Sequence, residues 1–298
     1  MPGLLLANPR SGNRAEYFAQ YVLSALGISS PVLRQEDTGI DFHCALARKE
    51  GGRLYFEHTF AVQVGTVGSK EFRYGVSRKE KSWTFKPYET EWLFSQSVPL
   101  FAATVDQKSL LFRMYSTSPM WITRYLFGQP AEVVLAPDEY HDPSKEVLQQ
   151  ELLPDGFGDR RTYRIPLFKP VVELCLTTFT EEDIEPARGA LRKAIDTERK
   201  NLRYRDLGVH FVEWLLDIKP NDPTTPHAVG HYYTWNNEPG RNVAQQLDSL
   251  LPVIIALGQN LKAQKNMESL EKIFAAFELY DPAHLPEFVR NMVKEFKE

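Results

Sequence analysis

The chain has 298 residues, of which 43% are hydrophobic and 25% charged, and it carries a net charge of −4. This composition is typical of a globular protein, and an acidic pI of about 6.0 excludes nucleic-acid binding through a broad basic surface. Two cysteines cannot build a zinc site or a disulfide framework, and no run approaches the roughly 18 apolar residues of a membrane helix. We expect a reducing, cytoplasmic location without membrane association, since the opening residues also lack the basic lead of a signal peptide.

Apolar periodicity predicts the elements of the first half of the chain. Residues Arg14–Leu26 repeat apolar side chains at three- and four-residue spacing, which predicts a helix that ends at Gly27. Ile40–Arg48 and Leu54–Thr66 alternate as strands do, with Gly51-Gly52 as the hairpin turn between them. The other predictions are a strand at Pro31–Gln35, a helix at Pro87–Ser95, strands at Val98–Val105 and Ser109–Tyr115, a helix at Ser118–Phe127, strands at Ala131–Leu135 and Tyr163–Leu176, and a loop at Pro137–Asp159.

After Thr177 the pattern indicates helices only. The acidic run Glu181-Glu182-Asp183 is typical of a helix start, because carboxylates stabilise the positive end of the helix dipole. The predicted helices are Glu182–Tyr204, Asp206–Ile218, Gly240–Ala263, Met267–Leu279 and Pro282–Phe296. We therefore predict an α/β domain at residues 1–178 and an all-helical domain at residues 179–298.

Three polar side chains form the leading candidate site. Asp41 lies on the polar face of one predicted strand, Gln63 on the corresponding face of the next, and Glu16 one turn into the first helix. Carboxylate and carbonyl oxygens that converge from neighbouring strands can hold Mg²⁺ for phosphodiester cleavage. On spacing alone, a solvated or hydrogen-bonded Asp41 is the competing interpretation.

Three short segments carry a family resemblance: Ser11–Phe18, Glu36–Phe42 and Phe60–Thr66. They are similar to domain of unknown function 4365, a bacterial family whose members resemble the PD-(D/E)XK restriction-endonuclease-like nucleases. A tryptophan-bearing helix and a strand opening at Val98 extend the similarity over roughly residues 10–125. The resemblance implies a restriction-endonuclease-like mixed sheet flanked by helices.

The same resemblance implies a metal-dependent nuclease that cleaves DNA or RNA with Mg²⁺ or Mn²⁺, in bacterial defence or DNA processing. Glu16, Asp41 and Gln63 match its functional positions. The lysine expected two residues after the glutamine is replaced by Gly65, which has no side chain to supply a cation. Lys70 is the nearest substitute along the sequence.

The sequence leaves two alternatives open. The domain could be a catalytically degenerate module that binds nucleic acid or assembles with a protein partner through its helical half. The apolar stripe of the helix at Gly240–Ala263 could instead form a homodimer, or belong to the core of the chain itself.

Overall fold

The computed structural model describes residues 9–32, 39–66, 71–79, 82–127, 130–137, 149–152, 161–207, 210–216, 219–223, 228–233 and 243–277, with five single positions between 285 and 294. Its helices are α1 (Pro9–Leu26), α2 (Pro87–Ser95), α3 (Trp121–Phe127), α4 (Glu181–Leu207), α5 (Val243–Ala263) and α6 (Met267–Phe277). Its strands are β1 (Gly27–Pro31), β2 (Phe42–Glu50), β3 (Arg53–Thr66), β4 (Phe72–Tyr74), β5 (Val76–Lys79), β6 (Ser82–Phe85), β7 (Leu100–Asp106), β8 (Leu111–Ser116), β9 (Glu132–Ala136), β10 (Gln149–Leu152), β11 (Arg161–Pro166), β12 (Val172–Cys175), β13 (Phe211–Leu216) and β14 (Ala228–Tyr233).

The largest sheet is mixed and contains six strands in the order β1-β2-β3-β7-β8-β12. All neighbours are antiparallel except β3 and β7, which are parallel. The β2–β3 hairpin turns at Gly51 and Gly52, whose φ angles of 56° and 77° glycine adopts without strain. The predicted α/β class, a mixed sheet flanked by helices with further helices at the C-terminus, is confirmed.

Helices α1 and α4 cover one face of this sheet. Phe42 and Val62 point to that face, where they pack with Leu23 of α1 and Leu191 of α4. The alternation of strands β2 and β3 and the apolar stripe of α1 thus meet as their periodicities predict.

The opposite face packs against a second sheet and α2. Ala61 and Ala102 lie in this layer together with Tyr74 of β4, Leu93 of α2 and Ile165 of β11. The second sheet has the order β10-β11-β9-β4. The two faces of β3 therefore contact different elements.

Four predicted elements need correction. The predicted helix Asp206–Ile218 is wrong at Phe211–Leu216, where Val212 and Trp214 are buried at period two in strand β13. The region after Thr177, which was predicted to contain helices only, therefore also contains the antiparallel pair β13–β14. The predicted strand Tyr163–Leu176 is two strands, β11 and β12, in different sheets. The extended backbone is interrupted between them at Phe168, whose φ is 60°. The predicted loop Pro137–Asp159 contains β10. The strand predicted at Pro31–Gln35 overlaps β1 only at Pro31, and residues 33–35 lie outside the described part of the chain.

The chain divides into two compact units. The first comprises Met1–Arg203 with His210–Thr234, and the second Tyr204–Val209 with Trp235–Glu298. This division differs from the predicted boundary after residue 178, because most of α4 is buried in the core of the first unit. In the second unit, Leu251 and Ile254 of α5 pack with Leu270 and Phe274 of α6, so part of the α5 stripe is internal core.

None of the helices that the structure describes is both long and apolar enough to cross a membrane. Cys44 and Cys175 are both free thiols.

Candidate functional site

Asp41 lies immediately before β2, at the point where β3 continues past the start of its neighbour. Its backbone N–H donates to the Val62 carbonyl over 2.9 Å, and its carbonyl accepts from the Val32 N–H over 2.9 Å. Its carboxylate Oδ2 accepts from the Val64 N–H over 2.6 Å. The side chain thus caps an edge of β3 that β2 leaves open, through a charge-assisted hydrogen bond.

Gln63 is the residue of β3 next to Asp41, because the β2–β3 register pairs Phe42 with Val62. Its side chain points away from α1, to the face that carries Tyr74. The Tyr74 hydroxyl donates a hydrogen bond to Gln63 Oε1. The carbonyl oxygen that would bind a cation is therefore also the acceptor that holds a buried tyrosine.

Tyr74 joins the two predicted site residues. Only 6% of this residue is exposed, and burial, with the negative charges of Asp41 and Glu89, raises the pKa of its hydroxyl. The hydroxyl consequently stays protonated and remains a donor at any physiological pH. The indole of Trp92 stacks on the tyrosine ring with centroids 6.0 Å apart.

Glu89 and Lys86 complete the arrangement at the start of α2. Glu89 Oε2 accepts from the Gly75 N–H over 3.0 Å, and its Oε1 lies 2.7 Å from Lys86 Nζ. The hydrogen bond and charge of Glu89 raise the pKa of Lys86, so this ammonium stays protonated. We call Asp41, Gln63, Tyr74, Lys86 and Glu89 the polar cluster.

The other predicted residues are placed differently. Glu16 is half-buried on α1, which packs on the sheet face opposite to the one where Gln63 contacts Tyr74. Gly65 is buried beside Thr104 of β7. Lys70 lies outside the described residues, so its proposed role stays a prediction.

The oxygen donors of Asp41 and Gln63 fit a hard cation in type but are few in number. Among the described residues, no group of three or more His, Cys, Asp or Glu side chains could hold a metal ion. Mg²⁺ is commonly held by one or two carboxylates together with substrate phosphates, so a small protein donor set is compatible with it.

Sequence reasoning missed Tyr74, Glu89 and Lys86 as site residues. For the last two a signal exists: Lys86-Pro87-Tyr88-Glu89 is a helix start with proline at the first position and an acid in the first turn. Tyr74 carries no such signal, because its place depends on β4 pairing with β9 in the second sheet.

Comparison of the chain with protein-family models, with curated proteins and with solved structures finds no match.

Proposed function

We propose that this chain is a metal-dependent phosphodiesterase that acts on DNA or RNA, with Asp41 and Gln63 at its centre. The supporting observation is that the two residues lie side by side, Asp41 immediately before β2 and Gln63 on β3, and that both act on the Tyr74 hydroxyl. Two neighbouring strands that direct oxygen ligands to one place are an economical way to hold a divalent cation against a phosphate.

In this proposal Asp41 and Gln63 hold Mg²⁺ or Mn²⁺, which when bound supplies positive charge to the phosphate. Tyr74 positions the Gln63 side chain by donating to its oxygen. Glu16 would assist from α1, as the family resemblance implies.

In this proposal Lys86, the cation of the polar cluster, takes the role left open by Gly65. Its ammonium pairs with Glu89, whose negative charge acts on Tyr74, so the cation belongs to the same network as Gln63. Its raised pKa keeps it positively charged, as a group that stabilises phosphate charge must be.

The test is cleavage of plasmid, single-stranded DNA and RNA by the full chain with Mg²⁺ or Mn²⁺. Asp41→Asn keeps an oxygen acceptor for the Val64 N–H but removes the negative charge. We expect this variant to stay folded, with a lower melting temperature because the bond from the Val64 N–H is no longer charge-assisted. Its cleavage rate should fall on the order of 100-fold or more, as when a group that stabilises transition-state charge is removed.

The matched control is Asp106→Asn, the same change at an aspartate that bonds its own turn at Lys108 and Ser109. Cleavage that survives Asp41→Asn, or falls equally in both variants, contradicts the proposal.

The second candidate is a non-catalytic module that binds nucleic acid. Two observations favour it: Gly65 offers no cation, and Tyr74 already uses the Gln63 oxygen. Binding of nucleic acid by the wild type without any cleavage, with either metal, would select this alternative.

A further inference from the structure

The β2–β3 hairpin extends beyond the sheet as a two-stranded ribbon. Strand β1 pairs with β2 only at Phe42–Leu46, and β7 pairs with β3 only at Ala61–Thr66. We call residues Ala47–Phe56 the ribbon; its cross-strand pairs run from Ala47 opposite Phe56 to Glu50 opposite Arg53. Every residue from Arg48 to Phe56 is exposed.

The base of the ribbon is attached to α4, which gives the ribbon a defined direction. Glu57 accepts from the guanidinium groups of Arg48 over 2.7 Å and Arg192 over 2.8 Å. The neighbouring His58 contacts Arg199 and lies 3.6 Å from Asp196. A register shift between Ala45 and Ala47 is the kind of irregularity that bends and twists a hairpin.

The ribbon surface combines apolar and cationic side chains. The ribbon carries an apolar run that stays exposed in the folded chain. The exposed fractions are 50% for Leu54, 43% for Tyr55 and 50% for Phe56. The Arg48 guanidinium lies over the Tyr55 ring, 5.8 Å from its centroid, and pairs with Glu50 and Glu57.

The charge of the ribbon differs in sign from that of the whole chain. Arg48, Lys49 and Arg53 outnumber the single acid, Glu50, in a chain whose net charge is −4. Among the described residues, neither Lys49 nor Arg53 forms an ion pair. Two cations at the tip of a protrusion are therefore available to a polyanion.

We propose that the ribbon docks in the major groove of duplex DNA. That groove is about 12 Å wide and about 8.5 Å deep and admits a two-stranded β-ribbon. The four cross-strand pairs extend about 13 Å at ~3.3 Å per residue, which is enough to span its depth. Lys49 and Arg53 belong to adjacent cross-strand pairs and therefore lie on opposite faces of the ribbon, where each contacts the phosphates on one side of the groove.

This inference deepens the proposed function and rests on it, because it names duplex DNA as the substrate class and the ribbon as its docking surface. It is carried by shape, exposure and charge at Ala47–Phe56, none of which involves the polar cluster.

The test measures binding of a fluorescently labelled DNA duplex, two helical turns long, to the full chain in EDTA at several salt concentrations. The double variant Lys49→Gln/Arg53→Gln removes two exposed cations. We expect weaker binding, with the slope of log affinity against log salt reduced by about two, one for each lost phosphate contact.

The control is Lys169→Gln/Lys219→Gln, which removes the same charge at exposed positions outside the ribbon. This control should bind as the wild type does. Equal affinity and equal salt slope in the ribbon variant and the wild type overturn the inference, as does tighter binding of single-stranded than of duplex DNA.

Failure of the ribbon and failure of the proposed function give different results. If duplex binding needs Lys49 and Arg53 but the chain cleaves no substrate, the phosphodiesterase proposal is wrong and the ribbon proposal is supported. If cleavage needs Asp41 but proceeds equally well in the ribbon variant, the phosphodiesterase proposal is supported and the ribbon proposal is wrong. A ribbon variant whose sedimentation changes from dimer to monomer without any change in DNA binding also overturns the inference, because it identifies a self-association surface.

Discussion

At the scale of single residues, Glu198 of α4 is a carboxyl group in the interior of the first unit. It is 1% exposed, and its Oε1 accepts from the Ser116 hydroxyl over 2.7 Å and from the Thr117 N–H over 2.8 Å. Burial raises its pKa from 4.5 to about 7, although hydrogen bonds from Ser116, Ser118 and Thr117 act in the opposite direction. Desolvation of the charge therefore outweighs the donors that α4 finds at the end of β8.

This pKa predicts that stability falls as pH rises. Between pH 4.5 and about 7 the folded chain holds a proton on Glu198 that the unfolded chain has released, so its free energy of unfolding decreases across that window. The full effect of this one group is roughly 3 kcal/mol, reached above pH 7.

Glu198→Gln should abolish that part of the decrease, which urea unfolding at pH 5 and pH 8 can measure. The quantity to compare is the difference between the two pH values, because the amide also changes the local hydrogen bonds at both. Glu182→Gln, an exposed carboxyl on the same helix, is the control and should keep the wild-type pH dependence. An unchanged difference in Glu198→Gln would mean that the buried carboxyl does not titrate in this range.

At the scale of elements, most of α4 belongs to the sheet core of the first unit, whereas its last turn from Tyr204 belongs to the second unit. Ile184, Leu191 and Ile195 are buried against the face that α1 also covers, and the α4 side chain of Arg188 donates to the carbonyls of Ala25 and Leu26 at the end of α1. These bonds satisfy carbonyls that a helix C-terminus leaves without intrahelical partners.

Leu191→Ala should therefore destabilise the chain strongly. Leu191 is completely buried, so its truncation is expected to lower the free energy of unfolding by about 2–5 kcal/mol. Leu257→Ala, on the exposed side of α5, makes the same chemical change and should cost less than about 0.5 kcal/mol. Similar losses in the two variants, measured by urea unfolding, would contradict the placement of α4 in the core.

At the scale of the whole molecule, the two units have separate apolar cores. The core of the second unit contains Leu270, Phe274, Phe277 and Leu285, none of which packs in the sheet cores. Units that bury their own apolar surface open as separate cooperative units.

Hydrogen exchange can test this division with Leu270→Ala. Because Leu270 is 1% exposed within the second core, its truncation should speed amide exchange in α5 and α6. Exchange in β2, β3 and β7 should remain at the wild-type rate, and the pattern should be the reverse in Leu191→Ala. Faster exchange throughout the sheet of Leu270→Ala would show a single cooperative unit instead.

The local sequence pattern was sufficient to predict those elements in which buried residues recur at a single, regular spacing. The bounds of α2 and the β2–β3 hairpin follow from proline, glycine and alternation, and the hairpin places Asp41 beside Gln63. Pattern was insufficient where a short apolar run suits either structure, as at Phe211–Leu216, where pairing with β14 makes it a strand.

Sequence by itself determined the mixed α/β class and the adjacency of Asp41 and Gln63, because alternation along one hairpin is a local property. Only the tertiary structure brought Tyr74, Glu89 and Lys86 to them, and separated β11 from β12 into different sheets. The physical reason is that periodicity reports which face of an element is buried, whereas the partner on that face is chosen by packing between segments far apart in the chain.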